Sequence, residues 1–335
     1  MTEKPSADVV VRPLRPNDLE RVIEIDHLVS GRARRKFFEK RLEAALAHQD
    51  RFIAIAVDID ETLAGFVIAR LQGGEFGDTG GGAVLDVLGV DPAFRRAGLG
   101  RQLLDGVTSR LRHKDIEDIR TQVEWRDRDM IAFLSQAGFI VSPHQVLERQ
   151  TGQEETAVSD PADDMATQPL DAGMSDYSDP DADDFEALSR DKVFVRSMTE
   201  ADLEAVVRID RKLTGRSRQR YYHAKLDETL NESGIRVSLV AEIDGAPAGF
   251  IMARVDYGEY GRAEPIAVMD TIGVDPDRRG TGIGDAVLSQ LMANLDALRV
   301  ERIRTRTAWN QFSLLAFLDS HGFSPAQQLV LRQAL

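Results

Sequence analysis

Residues 88–100 read LGVDPAFRRAGLG, and residues 272–284 read IGVDPDRRGTGIG. Each cluster follows an apolar run of strand length and precedes a segment whose apolar residues recur at helical spacing. A strand that passes through a glycine-bearing turn directly into a helix leaves several backbone N–H groups with no carbonyl one turn back, at the positive end of the helix dipole. Such a set of donors suits a pyrophosphate. Glycines at 98 and 100, and at 282 and 284, fit that use, because a Cβ would hold phosphates off the backbone and because such turns often need positive φ. Arg95, Arg96 and Arg101, with Arg279 in the second cluster, can add charge-assisted contacts to phosphate oxygens. A dinucleotide fold is disfavoured, since its G-x-G-x-x-G follows the first strand of a βαβ unit, whereas here R-x-x-G-x-G follows a fourth strand. A P-loop is disfavoured because no GK[ST] follows.

The likeness between the two clusters extends outward. GFVIAR at 65–70 recurs as GFIMAR at 249–254, and GRARRKFFEKRLEAAL at 31–46 as GRSRQRYYHAKLDETL at 215–230. The offset is 184 in each case (249 − 65, 215 − 31, 272 − 88), so the copies align without a gap. The chain is therefore expected to hold two copies of one domain, at 8–150 and 192–335. Between them, residues 151–186 carry twelve acids and no Lys or Arg. That composition predicts an acidic disordered linker over 151–191, extended by its own charge. The formal net charge is −14, so the remainder stands at −2, which argues against a nucleic-acid partner. There is no cysteine, hence no disulfide, thiol nucleophile or thiolate metal site. The six histidines never coincide between copies and show no ligand spacing, so neither a metal nor a Ser-His-Asp device is expected. Without an apolar run of about 18 residues or a charged-then-apolar leader, a cytoplasmic protein with no membrane partner is expected.

Along one copy, the pattern predicts a short strand (VVVRP), a helix opened by Asn17 or Asp18, and a second helix over 34–47. Strands follow at 52–57, 63–70 and 83–90, joined by short turns as an antiparallel meander. A helix with Leu99, Leu103, Leu104, Val107 and Leu111 on one face comes next, then a strand at 119–125, a helix at 130–137 and a last strand. The fold class is α/β (mixed α+β), each copy a mostly antiparallel mixed sheet flanked by helices. Trp125 and Trp309, at equivalent strand ends, read as core packing in preference to a substrate platform.

With R-x-x-G-x-G after a V-D-P strand end in both copies, and FLSQAGF and FLDSHGF closing the last helices, the sequence resembles the GNAT superfamily of acyl-CoA-dependent N-acyltransferases. The resemblance covers both copies nearly end to end. It implies that Arg95, Arg96, Ala97, Gly98, Leu99, Gly100 and Arg101, and Arg279, Gly280, Thr281, Gly282, Ile283 and Gly284, hold the pyrophosphate of acetyl-CoA as co-substrate. It further implies that Leu88, Gly89 and Val90, and Ile272, Gly273 and Val274, pair with the pantetheine amides. Asn310, and its counterpart Arg126, would contact the coenzyme near the start of the last helix. The acceptor side would lie at the GRxR elements, so Arg32, Arg34, Arg216 and Arg218 are expected either to clamp an acceptor carboxylate or acidic peptide, or to stand as a solvated helix start.

Family chemistry is attack of a primary amine on the thioester. It requires deprotonating an ammonium of pKa about 8 to 10.4, stabilising an oxyanion, and protonating a thiolate of pKa near 8.5. Asp86 and Asp270, equivalent acids within AVLDVLGV and AVMDTIGV, are expected as bases if poorly solvated, or else as anchors of a neighbouring loop. The sequence departs from the family where many members place a general-acid tyrosine in the last helix, because Leu134 and Leu318 stand there. Tyr260 is the tyrosine available for that role in the second copy, though its counterpart Phe76 equally suits aromatic packing. The expectation is an N-acetyltransferase acting on a small-molecule amine, a protein N-terminus or a lysine, with the second copy as the active one, the first stabilising or regulating it, and an intramolecular pseudo-dimer allowed. The alternatives are a non-catalytic acyl-CoA-binding sensor, one catalytic copy with one degenerate structural copy, and a purely structural repeat.

Overall fold

The computed structural model describes residues 8–31, 34–72, 82–152, 193–227, 237–257 and 265–335. Of the anticipated linker, all but Thr151 and Gly152 lies outside those residues, as do Arg32, Phe76 and Tyr260. In the first copy, Val9–Pro13 (β1) leads into Leu19–Ser30 (α1), Arg35–Ala47 (α2), Phe52–Ile59 (β2), Thr62–Gln72 (β3) and Gly82–Val90 (β4). Leu99–Arg112 (α3), Asp118–Glu124 (β5), Arg128–Gln136 (α4), Ile140–Val141 (β6) and His144–Gln150 (β7) complete it. The second copy repeats the order with Phe194–Ser197 (β8), Leu203–Thr214 (α5), Gln219–Asp227 (α6), Leu239–Ile243 (β9), Ala246–Tyr257 (β10) and Pro265–Val274 (β11). It ends with Ile283–Ala297 (α7), Arg302–Ala308 (β12), Phe312–Ser320 (α8), Ser324–Pro325 (β13) and Gln328–Ala334 (β14).

The apolar face of α3 packs on one side of the first sheet. Leu99, Leu103, Leu104, Val107 and Leu111 are all buried there against Ile55, Val57, Val67, Leu85 and Ile119. On the other side, Phe37, Phe38 and Leu42 of α2 and Ile25 of α1 meet Phe66 and Ile68. Full burial of each such side chain contributes about 1.5–3 kcal/mol, so these faces fix which way the strands alternate. Gly31 and Gly215, both left-handed, stop α1 and α5. The glycine of each GRxR element is thus a helix terminator.

Two seven-stranded mixed sheets result, in the orders β1-β2-β3-β4-β5-β14-β6 and β13-β7-β12-β11-β10-β9-β8. Neighbours pair antiparallel through the meanders, while β4 with β5 and β11 with β12 run parallel, bridged by α3 and α7. The strand that lies between β5 and β6 is β14, which sits 204 residues after the end of β5 (328 − 124). Its register against β5 is continuous from Gln328↔Glu124 to Ala334↔Asp118. Side chains reinforce it, with Gln333 Nε2 donating to the Ala137 carbonyl at 2.9 Å. Its counterpart β7 belongs to the second sheet, where Arg304 of β12 donates to Glu148 at 2.6 Å. The sequence division at 8–150 and 192–335 therefore follows the repeat but not the sheets. Arg306–Leu335 falls in the same compact unit as the first copy up to Leu147, while Glu148–Val255 and Ile266–Thr305 fall in the other.

Candidate functional site

Local sequence builds the turn after β4. Asp91 caps the single 3-10 turn Pro92–Phe94 by accepting from the Ala93 N–H at 2.8 Å, and the guanidinium of Arg21, on α1, ion-pairs with the same carboxylate. In the second copy, Asp275 accepts from the Asp277 N–H and from Lys212 of α5 at 2.9 Å. The Lys212 hydrogen bond is the main reason that Asp275 is pushed below the usual carboxylate range. The V-D-P aspartates thus tie each loop to the first helix of its repeat, a role sequence reasoning left unassigned although the residue is identical in both copies.

Beyond that anchor the backbone turns left-handed at Gly98 (φ 77°) and Gly282 (φ 76°), each of which caps a helix. The first helical hydrogen bonds are Gln102 N–H to the Gly98 carbonyl and Ala286 N–H to the Gly282 carbonyl. The N–H groups of Leu99, Gly100 and Arg101, and of Ile283, Gly284 and Asp285, precede them and stand at the positive helix end. A Cβ placed on Gly98 would meet nothing within 4 Å, so the space beside it is open. Gly100 differs, since its Cβ would lie 3.1 Å from the Phe133 ring of α4. It is there for helix packing, whereas Gly89 and Gly273 leave room for the Phe66 and Phe250 rings of the neighbouring strands, which their Cβ atoms would strike. Arg96 holds φ 66° where its counterpart is Gly280, at φ 73°. Arg95 and Ala97 are exposed, as are Arg279 and Thr281. Arg101 is also exposed, but it bonds to Asp105 at 3.0 Å and to the Gln136 carbonyl.

Beside each loop the sheet forks. β4 and β5 pair only from Gly82↔Asp118 to Val84↔Arg120, although β4 runs on to Val90 and β5 to Glu124. At the fork Thr121 Oγ1 donates to the Leu85 carbonyl at 3.0 Å. The second copy repeats this, with pairing from Ala267↔Ile303 to Met269↔Thr305 and Thr305 Oγ1 on the Met269 carbonyl at 3.0 Å. Past the fork, Leu88, Gly89 and Val90 are paired to β3 on one edge only, and an extended chain can lie along the other.

At the point of divergence β4 bulges. Ile68 faces Val87 and Ala69 faces Leu85, which leaves Asp86 as the extra residue. Its buried carboxylate lies 3.4 Å from Arg70 of β3 and 3.4 Å from Arg41 of α2. In the second copy Asp270 ion-pairs with Arg254 and, at 3.3 Å, with Lys225. The apolar neighbours in sequence suggested a poorly solvated base. The cations come from the adjacent strand and helix, where the local sequence does not show them.

A family model described as the acetyltransferase (GNAT) family matches residues 19–139 and again 203–323. The chain belongs to the GNAT family. Among curated relatives, a mycothiol acetyltransferase of Clavibacter sepedonicus is 29% identical over 252 residues, 71% of this chain and 65% of its own length. The corresponding Clavibacter michiganensis protein is 27% identical, over 65% and 61%. The chain thus spans somewhat less than two thirds of the length of these relatives. Among solved structures, a tandem GNAT protein from the clavulanic acid biosynthesis pathway superposes with a TM-score of 0.64 at 16% identity, covering 98% of both chains. A GCN5-related N-acetyltransferase from Sphaerobacter thermophilus gives 0.56 at 15% identity, covering 97% and 95%.

Other expected residues of these GNAT repeats sit differently from the sequence reading. Arg34 is buried and Arg218 half-buried, each ion-paired with an aspartate of the preceding helix, Asp26 and Asp210. Arg34 Nε reaches Asp26 at 3.0 Å, with the guanidinium 5.1 Å from the Phe37 ring centroid. They pin the α1–α2 and α5–α6 junctions and are not open to an acceptor. Arg216 remains exposed and Arg32 lies outside the described residues. Tyr222 donates to Asp210 at 2.9 Å and accepts from Arg218 at 3.0 Å. Burial pushes its phenol well above the ordinary range, so it holds its proton. Leu134 and Leu318 are fully buried. Trp125 and Trp309, expected in the core, are 64% and 55% exposed, because each follows the last sheet residue and opens a turn. Asn310 and Arg126 are exposed in those turns. Among the described residues no group of three or more His, Asp or Glu could hold a metal ion.

Proposed function

We propose that this chain is an acetyl-CoA-dependent N-acetyltransferase in which each repeat holds one coenzyme and a primary amine attacks the thioester directly. The observation that carries the reading is the open, left-handed Gly98 at the start of α3, next to a forked strand pair whose free edge is long enough for an extended pantetheine. In that arrangement the opening N–H groups of α3 and α7 take the pyrophosphate, and Leu88 to Val90 and Ile272 to Val274 take the pantetheine amides. The free N–H groups at the fork polarise the thioester carbonyl. Asp86 fixes the bulge that opens the first fork, Asp270 stands at the equivalent position of the second copy, and both act as positioning residues. The departing thiolate takes its proton from water or from a group outside the described residues, such as Tyr260.

The second copy is the better candidate for turnover. Its sequence holds Tyr221, Tyr222, Tyr257 and Tyr260 whereas residues 8–150 hold no tyrosine, so a phenolic proton donor is available only to the second copy. The acceptor is a primary amine of a small molecule or of a protein terminus or lysine, and the names of the curated relatives make the amine acetylated by mycothiol acetyltransferases the first to try.

Calorimetric titration of the full chain with acetyl-CoA tests the reading. Two sites are expected, one lost in Gly98→Trp and the other in Gly282→Trp, with stabilisation of about 2.7 kcal/mol at a hundredfold excess over Kd. Release of free thiol on adding an amine distinguishes an enzyme from a sensor that binds stoichiometrically. No binding at either loop would overturn the proposal.

A further inference from the structure

A second concavity lies at the far end of α3. About 740 Å³ in volume, it is walled by Pro13, Leu14, Ala45, Leu46, Phe52, Ile53 and Ala54, with Arg110, His113 and Lys114 at its rim. We propose that this groove binds a small amphipathic anion, a carboxylate on a single apolar chain, at a site separate from the coenzyme loop. Its volume falls in the range of small-molecule sites, and its lining has the usual character of such sites, an apolar body with a few polar groups at one end.

The separation follows from helix geometry. Gly98 caps the N-terminus of α3 and Arg110 lies in its last turn, eleven residues beyond Leu99, which places the groove about 17 Å along the axis from the phosphate-type turn. The polar ends of these three side chains meet only backbone carbonyls. Arg110 donates to Gly106 at 3.0 Å, His113 contacts Ser109 at 2.7 Å, and Lys114 reaches Asp50 at 3.4 Å. None of the three has a carboxylate partner among the described residues. Positive side chains at a helix C-terminus are favoured by the dipole, which alone could account for one of them. The second copy removes that explanation as a requirement of the fold. At the 184-residue offset it has Asn294, Ala297 and Leu298, and α7 forms with no basic residue in its last turn. The fold tolerates the loss of all three polar side chains, yet the first copy gathers them beside an apolar wall. An anion of opposite polarity pattern, charged at one end and aliphatic over the rest, matches both halves of the lining.

The test is calorimetric titration of the full chain with octanoate, with octylamine as the control of equal chain length and opposite charge. One octanoate site is expected, unaffected by saturating coenzyme A, and no octylamine binding. The variant Arg110→Asn/His113→Ala/Lys114→Leu carries the residues of the second copy, so it is expected to melt like the parent while binding octanoate at least about tenfold more weakly. Gln49→Trp, which narrows the mouth from an exposed position, should weaken it as well. Absence of octanoate binding, equal binding of octylamine, displacement by coenzyme A, or undiminished binding in the triple variant would each overturn the proposal.

Discussion

Arg34 and Arg216 come from the same repeated GRxR element, and a reading by residue type treats them alike. The structure separates them by burial. Arg34 neutralises Asp26 inside the first copy, whereas Arg216 faces solvent. Removing one member of a buried pair leaves the other charge without compensation, so Arg34→Met is expected to destabilise the first copy by about 3–5 kcal/mol. Arg216→Ala is expected to stay within about 0.5 kcal/mol. Urea unfolding of the two variants checks this, and similar midpoints would contradict the assignment. Sequence reasoning missed the burial of Arg34 and the exposure of the tryptophans for one physical reason. Spacing within an element predicts which face a residue takes, but Arg34 and Trp125 lie just outside elements, where the partner across a junction decides exposure. The loop glycines show the same limit: Gly98 and Gly100 are two residues apart in one motif, yet only Gly98 borders open space, and the ring that explains Gly100 lies 33 residues away on α4.

The elements themselves were legible. Helices and strands fall within two residues of their expected ends in the first copy, because their apolar periodicities are strong and both copies repeat them. The bulge at Asp86 was not, since a bulge is a relation between strands and leaves no mark on one strand's pattern. The entry to each first helix was only partly legible. Asp18 and Asp202 accept from the backbone N–H three residues earlier, and Arg196 bridges Asp202 to Glu242 of β9 at 2.6 Å on each side. The Arg196 hydrogen bonds hold the Asp202 carboxyl below its ordinary value. A depressed carboxylate contributes stability that is fully present above the unfolded pKa and is lost as pH falls through the folded one. Thermal midpoints of the parent should therefore drop as pH falls below about 4, and part of that slope should vanish in Asp202→Asn. An unchanged slope would show that the junction does not contribute.

At the scale of the whole molecule, the repeat was plain in sequence but the ownership of the last strands was not. β7 and β14 are equivalent segments with the same alternation, so either satisfies the gap between β5 and β6 equally well on pattern alone. Deleting residues 326–335 should leave the β5 edge unpaired and strip Gln333 from the Ala137 carbonyl. The expected result is loss of cooperative melting and rapid proteolysis within residues 8–141, more than 180 residues away in sequence from the cut (326 − 141). A truncated chain whose first half remains protease-resistant would show that β7 can move into the vacancy.

Placing β14 beside β5 also sets a schedule for synthesis. The first sheet acquires its sixth strand only after 204 further residues have left the ribosome, which at 5–20 residues per second is a wait of roughly ten to forty seconds. Throughout that interval the nascent first copy presents an open strand edge to its surroundings, and the equivalent segment β7 is the resident sequence whose pattern fits it.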